Sequence, residues 1–178
     1  MSCSSRSIHQ PPNPYVTFST ADSKQLYRTQ ILTSTSKPQW NYQQHVQLSI
    51  EYLFNEKKVF LLKVSHAENE SISDEHKTSA DKTLGFVSID LSPLLSGLHQ
   101  ISGWYNIIDT IGSVQGQLKI SIVPQEDLLE LKQMKYNRKT PSQRSISNDL
   151  SARSVSEITT SMILFITDFF RPTKVTEV

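Results

Sequence analysis

Apolar and polar residues alternate with period two along most of the chain from Pro14 to about Val123. Val46, Leu48 and Ile50 share one face of a segment, and Leu118, Ile120 and Ile122 share one face of another. That period predicts half-buried β-strands. Strands are expected at Tyr15–Ser19, Leu26–Leu32, His45–Ile50, Val59–His66, Leu84–Leu91, Gly103–Ile108 and Gln117–Val123. The Val59–Val64 run, VFLLKV, is denser in apolar residues and predicts a strand covered on both faces. Turn-forming residues separate the segments, among them Ser36-Lys37-Pro38, Asn55-Glu56-Lys57 and Gly112-Ser113. Short strands with no helical period between them predict an all-β, antiparallel sandwich rather than βαβ units. Trp40 and Trp104 are expected in the inter-sheet layer, where large aromatic surfaces pack well. Pro93–Leu98 is expected to close one end of the sandwich.

Several segments break the alternation. Residues 1–12 are polar, with Pro11 and Pro12, and read as a flexible lead. Ala67–Lys82 is a polar loop carrying Glu68, Glu70, Asp74, Glu75 and Asp81. Leu128, Leu131 and Met134 recur at i, i+3 spacing and predict a short helix over 125–136. Residues 137–178 read as a mostly disordered tail, rich in Ser, Thr and Arg, with an apolar segment at 161–170.

Composition narrows the function classes. The chain has 178 residues, enough for one domain with extensions, and a formal net charge of +1. That balance gives no electrostatic basis for a nucleic-acid partner. The one cysteine, Cys3, cannot form an internal disulfide, and the N-terminus has no apolar signal-like core, so a reducing, cytoplasmic location is expected. Met162–Ile166, the longest late apolar run, is far shorter than the roughly 20 residues that span a bilayer. No Gly-x-Ser-x-Gly, P-loop or paired-cysteine motif occurs, and His66 and His76 lack metal-ligand spacing. No catalytic residue and no cofactor are therefore expected, and the chain does not read as an enzyme.

Four stretches carry a family resemblance: Asn13-Pro14-Tyr15-Val16, Thr29 followed by Lys37-Pro38-Gln39-Trp40-Asn41, Leu84-Gly85-Phe86, and Gly103-Trp104-Tyr105. In this order they resemble the C2 domain, a β-sandwich module that binds calcium and phospholipid. The combination of SIDLSPLLSG, GWYNI and GQLKISIVP is similar to the C-terminal C2 domain of a centriolar scaffold protein. That resemblance implies a calcium-independent protein-interaction module acting in centriole elongation and ciliogenesis. Its partners would be centriolar or ciliary proteins, at the centrosome, centriole or ciliary basal body. The alternative is a peripheral membrane module that binds phospholipid headgroups on an acidic membrane surface through the 67–82 loop.

The resemblance also sets expectations by its departures. The family has eight strands and the pattern here supplies seven; the first is missing, as in a fragment or splice product of a longer protein. Such a vacancy would expose backbone and apolar surface. Ser161–Thr167, SMILFIT, either docks in the vacant position or remains a frayed, aggregation-prone tail. Calcium takes about six to eight oxygen ligands, yet the expected loop aspartates fall on Asn13, Ser65 and Ala67. Asp81, Glu68 and Glu70 remain as degenerate candidates in what reads as a solvated acidic loop, so no metal site is expected. Lys57, Lys58 and Lys63 are too few for a lipid-binding cationic face. In the tail, Arg144 and Arg153 precede Ser147 and Ser156 by three residues and mark them as candidate phosphosites. The C-terminal Thr176-Glu177-Val178 matches a PDZ ligand, in which Thr176 and Val178 would make the side-chain contacts.

Overall fold

The computed structural model, which describes residues 11–20, 25–54, 58–68, 81–139 and 159–170, has a strand at each of the seven expected segments, the one expected at His45–Ile50 beginning already at Gln39 and ending at Ser49, and an eighth at Thr159–Phe170. They are β1 (Pro14–Ser19), β2 (Leu26–Arg28), β3 (Gln39–Ser49), β4 (Val59–His66), β5 (Lys82–Asp90), β6 (Ile101–Ile108), β7 (Val114–Pro124) and β8 (Thr159–Phe170). Two helices, α1 (Ile50–Phe54) and α2 (Leu128–Lys139), flank them. The helix expected to end at residue 136 runs on to Lys139, and the five residues of α1 carry no periodic signal long enough to predict them. Among the described residues, no helix is long and apolar enough to cross a membrane.

All pairings are antiparallel, in the order β2-β1-β4-β5-β6-β7-β8-β3. Between β5 and β6 the ladder narrows to a single pair, Phe86 opposite Ile108. Two four-stranded halves therefore meet at one joint. Their inward residues, Val16, Phe18, Leu62 and Val87 from one half with Trp40, Leu48, Leu118 and Leu164 from the other, form one apolar cluster. Phe18 packs on Phe60 at 5.5 Å and edge-on against Tyr42 at 6.5 Å between ring centroids, which ties the halves across the core.

The last strand changes the expected architecture. The family's first-strand position is not vacant: β8 lies between β7 and β3. It pairs with β3 from Gln39↔Asp168 to Ser49↔Thr159, and with β7 from Gln117↔Phe170 to Pro124↔Met162. Met162, Leu164 and Ile166 point into the core. Of the two fates considered for SMILFIT, docking is the one observed, and 159–170 is not disordered tail. The rest of the tail, 140–158 and 171–178, lies outside the described residues.

Two packing expectations fail for the same reason: side-chain type does not determine which face a strand residue takes. On β6, Ile107 is buried and Tyr105 packs against the core, so by alternation Trp104 faces outward and is 48 % exposed. It lies beside Lys119, whose amine sits 5.9 Å from the ring centroid. On β4, Phe60, Leu62 and Val64 point inward while Leu61 is 52 % exposed, so VFLLKV is open on one face. The strand covered on both faces is β1, where Tyr15, Val16, Thr17 and Phe18 are all buried. The Leu26–Leu32 strand is shorter than expected and ends at Arg28, where the Val16 amide of β1 bonds the Thr29 hydroxyl in place of a backbone carbonyl.

Thr29 and Trp40 join that turn to the core. The Val16 amide donates to Thr29 Oγ1 at 2.9 Å, and the Thr29 amide donates to the Val16 carbonyl at 3.0 Å. Trp40 Nε1 donates to the Gln30 carbonyl at 3.0 Å. Thr29→Val preserves shape but leaves the buried Val16 donor unpaired, so a loss of about 1–3 kcal/mol is expected in urea unfolding. An unchanged midpoint would show that water replaces the hydroxyl.

Candidate functional site

The loops before β1, between β2 and β3, and between β4 and β5 gather at one end of the sandwich, and Asn13 ties them together. Its amide donates to His66 Nδ1 at 2.8 Å, and its carbonyl accepts from the Ala67 amide at 3.0 Å. Its side-chain Nδ2 donates to the Ala67 carbonyl at 3.1 Å, while its Oδ1 accepts from the Ser34 amide at 2.8 Å. The Leu32 amide to the Pro14 carbonyl and the Thr35 amide to the Pro12 carbonyl extend the same stitching. An amide side chain suits this place because it must donate on one side and accept on the other. A carboxylate cannot do both.

Asn13→Asp is accordingly expected to set two oxygens against each other at Ala67. The predicted loss is about 1–3 kcal/mol near neutral pH. Facing a carbonyl raises the folded-state carboxyl pKa above its unfolded value, so the loss is relieved below about pH 4 and grows as pH rises through the carboxylate range. Thermal melts from pH 3 to 7 check this; a loss that stays constant across the range would contradict it.

Of the remaining candidate calcium ligands, Asp81 and Glu68 lie among the described residues. Asp81 Oδ2 accepts from the Tyr15 hydroxyl at 2.5 Å. Burial, and then the hydrogen bond to Asp81, push the Tyr15 phenol above its ordinary range. The Arg28 guanidinium lies 4.2 Å from the centroid of the Tyr15 ring. Asp81, just before β5, therefore belongs to a cluster with Tyr15 of β1 and Arg28 of β2. Glu68 is exposed, Glu70 lies outside the described residues, and Ser65 and Ala67 are buried where the family's second-loop aspartates would fall. Among the described residues, no group of three or more His, Cys, Asp or Glu side chains converges to hold a metal ion.

The turn expected at Gly112-Ser113 lies at the same end of the molecule. Residues 109–113, between β6 and β7, form a tight turn in which Asp109 Oδ1 accepts from the Ile111 and Ser113 amides at 3.0 and 2.8 Å. The Ser113 amide, with Gln115 and neighbouring amides, holds the Asp109 carboxyl below its usual range. The turn presents Ile111 at 84 % exposure. Gly112-Ser113 marks this turn in the sequence, and Asp109 is the residue that holds it.

The opposite end is built from the 3-10 turn Leu94–Ser96 and α2. Asp127 Oδ1 caps α2 by accepting from the Leu129 amide at 2.8 Å. Between turn and helix lies a concavity of about 310 Å³, with Leu94, Leu98, Val123, Pro124 and Leu128 among its walls and Glu126 at its edge. Only part of the Pro93–Leu98 closure is apolar cover: Leu94 and Leu95 are buried, and Leu98 is exposed.

On the outer row of β3, the exposed residues are Gln39, Asn41, Gln43, His45 and Gln47, with no lysine or arginine. The tail sites Ser147, Ser156, Thr176 and Val178 lie outside the described residues.

Comparison with known proteins supplies the context for this geometry. The model of the C2 domain family matches residues 3–107. C2 domain-containing protein 3 of Homo sapiens is 38 % identical over 128 residues, 72 % of this chain. The protein of the same name from Xenopus tropicalis is 38 % identical over 136 residues, 76 % of this chain. In each case the match spans 5 % of the relative's length. No solved structure matches the chain.

Proposed function

The chain belongs to the C2 domain family, and from that membership we propose that it acts as a calcium-independent, non-catalytic protein-interaction module. The observation that carries the proposal is the use of Asn13. Where the family places a loop aspartate, this chain places an amide whose donor and acceptor are both taken up in stitching loops. Asp81 is likewise engaged by the Tyr15 hydroxyl. A calcium ion would need several free carboxylate oxygens in the same place.

The uncharged outer row of β3 favours a protein partner over an anionic membrane, since vesicle binding without calcium relies on clustered cations. The setting we propose, a scaffold of the centriole or ciliary basal body with centriolar or ciliary proteins as partners, rests on the sequence resemblance of SIDLSPLLSG, GWYNI and GQLKISIVP. Titration calorimetry with millimolar Ca²⁺ is expected to give no binding heat, and anionic vesicles are expected not to sediment the protein with or without Ca²⁺. Saturable heat or calcium-dependent sedimentation would overturn the calcium-independent reading. Calcium-independent sedimentation would favour the phospholipid alternative.

A further inference from the structure

The two edges of the sheet are built differently. At one end of the strand order stands β2, three residues long and closed by Arg28. Short length and charge are what keep a sheet edge from pairing with another chain. At the other end stands β3, eleven residues long, whose partner among the described residues is β8 alone. From Gln39 to Ser49 it contains no Lys, Arg, Asp, Glu or Pro. Its one irregularity is the register shift between Gln39 and Tyr42, where Asn41 has φ 46; from Tyr42 to Ser49 the ladder to β8 is continuous. The His45 carbonyl, in an exposed bond, accepts from the side-chain amide of its own neighbour Gln44 at 2.9 Å. That amide stands in for the main-chain donor an adjoining strand would bring.

We infer that this edge pairs with the same edge of a second copy, β3 antiparallel to β3 about a twofold axis, so that β6-β7-β8-β3 of each chain becomes half of one continuous sheet. Self-complementarity selects this occupant. Residues directly opposite in an antiparallel pair share a face, so in every such register the exposed row Gln39, Asn41, Gln43, His45 and Gln47 meets only itself. No like charges are opposed, and primary amides both donate and accept across the pair. Because β2 is guarded, the association closes at two copies instead of continuing into a fibre. The inference concerns self-association, and its failure would leave the calcium-independent reading untouched.

Sedimentation velocity of the full chain over a concentration series tests it. One strand pair buries less than a standard interface, so dimer should rise from a few per cent at about 10 µM to about half at about 1 mM. Gln43→Lys with Gln47→Lys places cations on the exposed row and should stay monomeric throughout. Gln43→Glu with Gln47→Glu should do the same alone, yet an equimolar mixture of the two variants should form a dimer containing one of each. Wild-type monomer at every concentration, a Lys variant that dimerises like wild type, or a mixture that stays monomeric would overturn the inference.

Discussion

A chain ending at Lys139 is expected to lose its cooperative thermal transition. Without β8 the core gives up Met162, Leu164, Ile166 and Phe169, all buried, and β3 loses the ladder that holds it. At about 1.5–3 kcal/mol for each buried side chain, the loss is roughly 6–12 kcal/mol, which matches the whole stability of a typical domain, about 5–15 kcal/mol. Leu164→Ala, a smaller lesion in the same strand, should cost about 2–5 kcal/mol, read as a lowered denaturant midpoint with an unchanged slope. A truncated chain that melts like the full one would mean that β8 contributes nothing to the fold.

The second large effect is expected at Gly85. A Cβ there would sit 2.7 Å from the Ile108 carbonyl oxygen and 2.8 Å from Ile107 Cγ2. The first of these is backbone and cannot swing aside, and it belongs to the residue that forms the single β5–β6 pair. Gly85→Ala should therefore pry the two halves apart at the single ladder joint seen among the described residues, at about 1–3 kcal/mol or more. Gly112 provides the contrast. It has φ +87, and a Cβ there meets nothing within 4 Å, so Gly112→Ala should cost only the left-handed strain of about 1–2 kcal/mol. Thermal melts of the two variants side by side decide it; a smaller shift for Gly85→Ala than for Gly112→Ala would contradict the joint.

Much of this was legible along the chain. Period-two alternation located most strands, because one half-buried face imposes it. The Thr29 and Pro38-Gln39-Trp40-Asn41 stretches marked a turn whose hydrogen bonds need those side chains. The Leu84-Gly85-Phe86 step marked the joint, where only a missing Cβ permits the approach. Other features were less visible. Bulk alone suggests that Trp104 and Leu61 face inward, whereas their facing is fixed by the parity of Ile107 and Leu62. SMILFIT is apolar on successive residues, so no period assigns it a face, and its partners β3 and β7 are distant in sequence. At the loop end, the exchange of aspartate for Asn13 announced the loss of a ligand. Its gain as a donor and acceptor between Ala67 and Ser34 required three segments to be seen together.

Amide hydrogen exchange over Thr159–Phe170, followed by mass spectrometry on the full chain, tests the architecture most directly. If β8 completes the sandwich between β7 and β3, these amides exchange as slowly as those of β7, through global unfolding alone. Exchange of this segment at the rate of an unstructured peptide, while β7 remains protected, would contradict it.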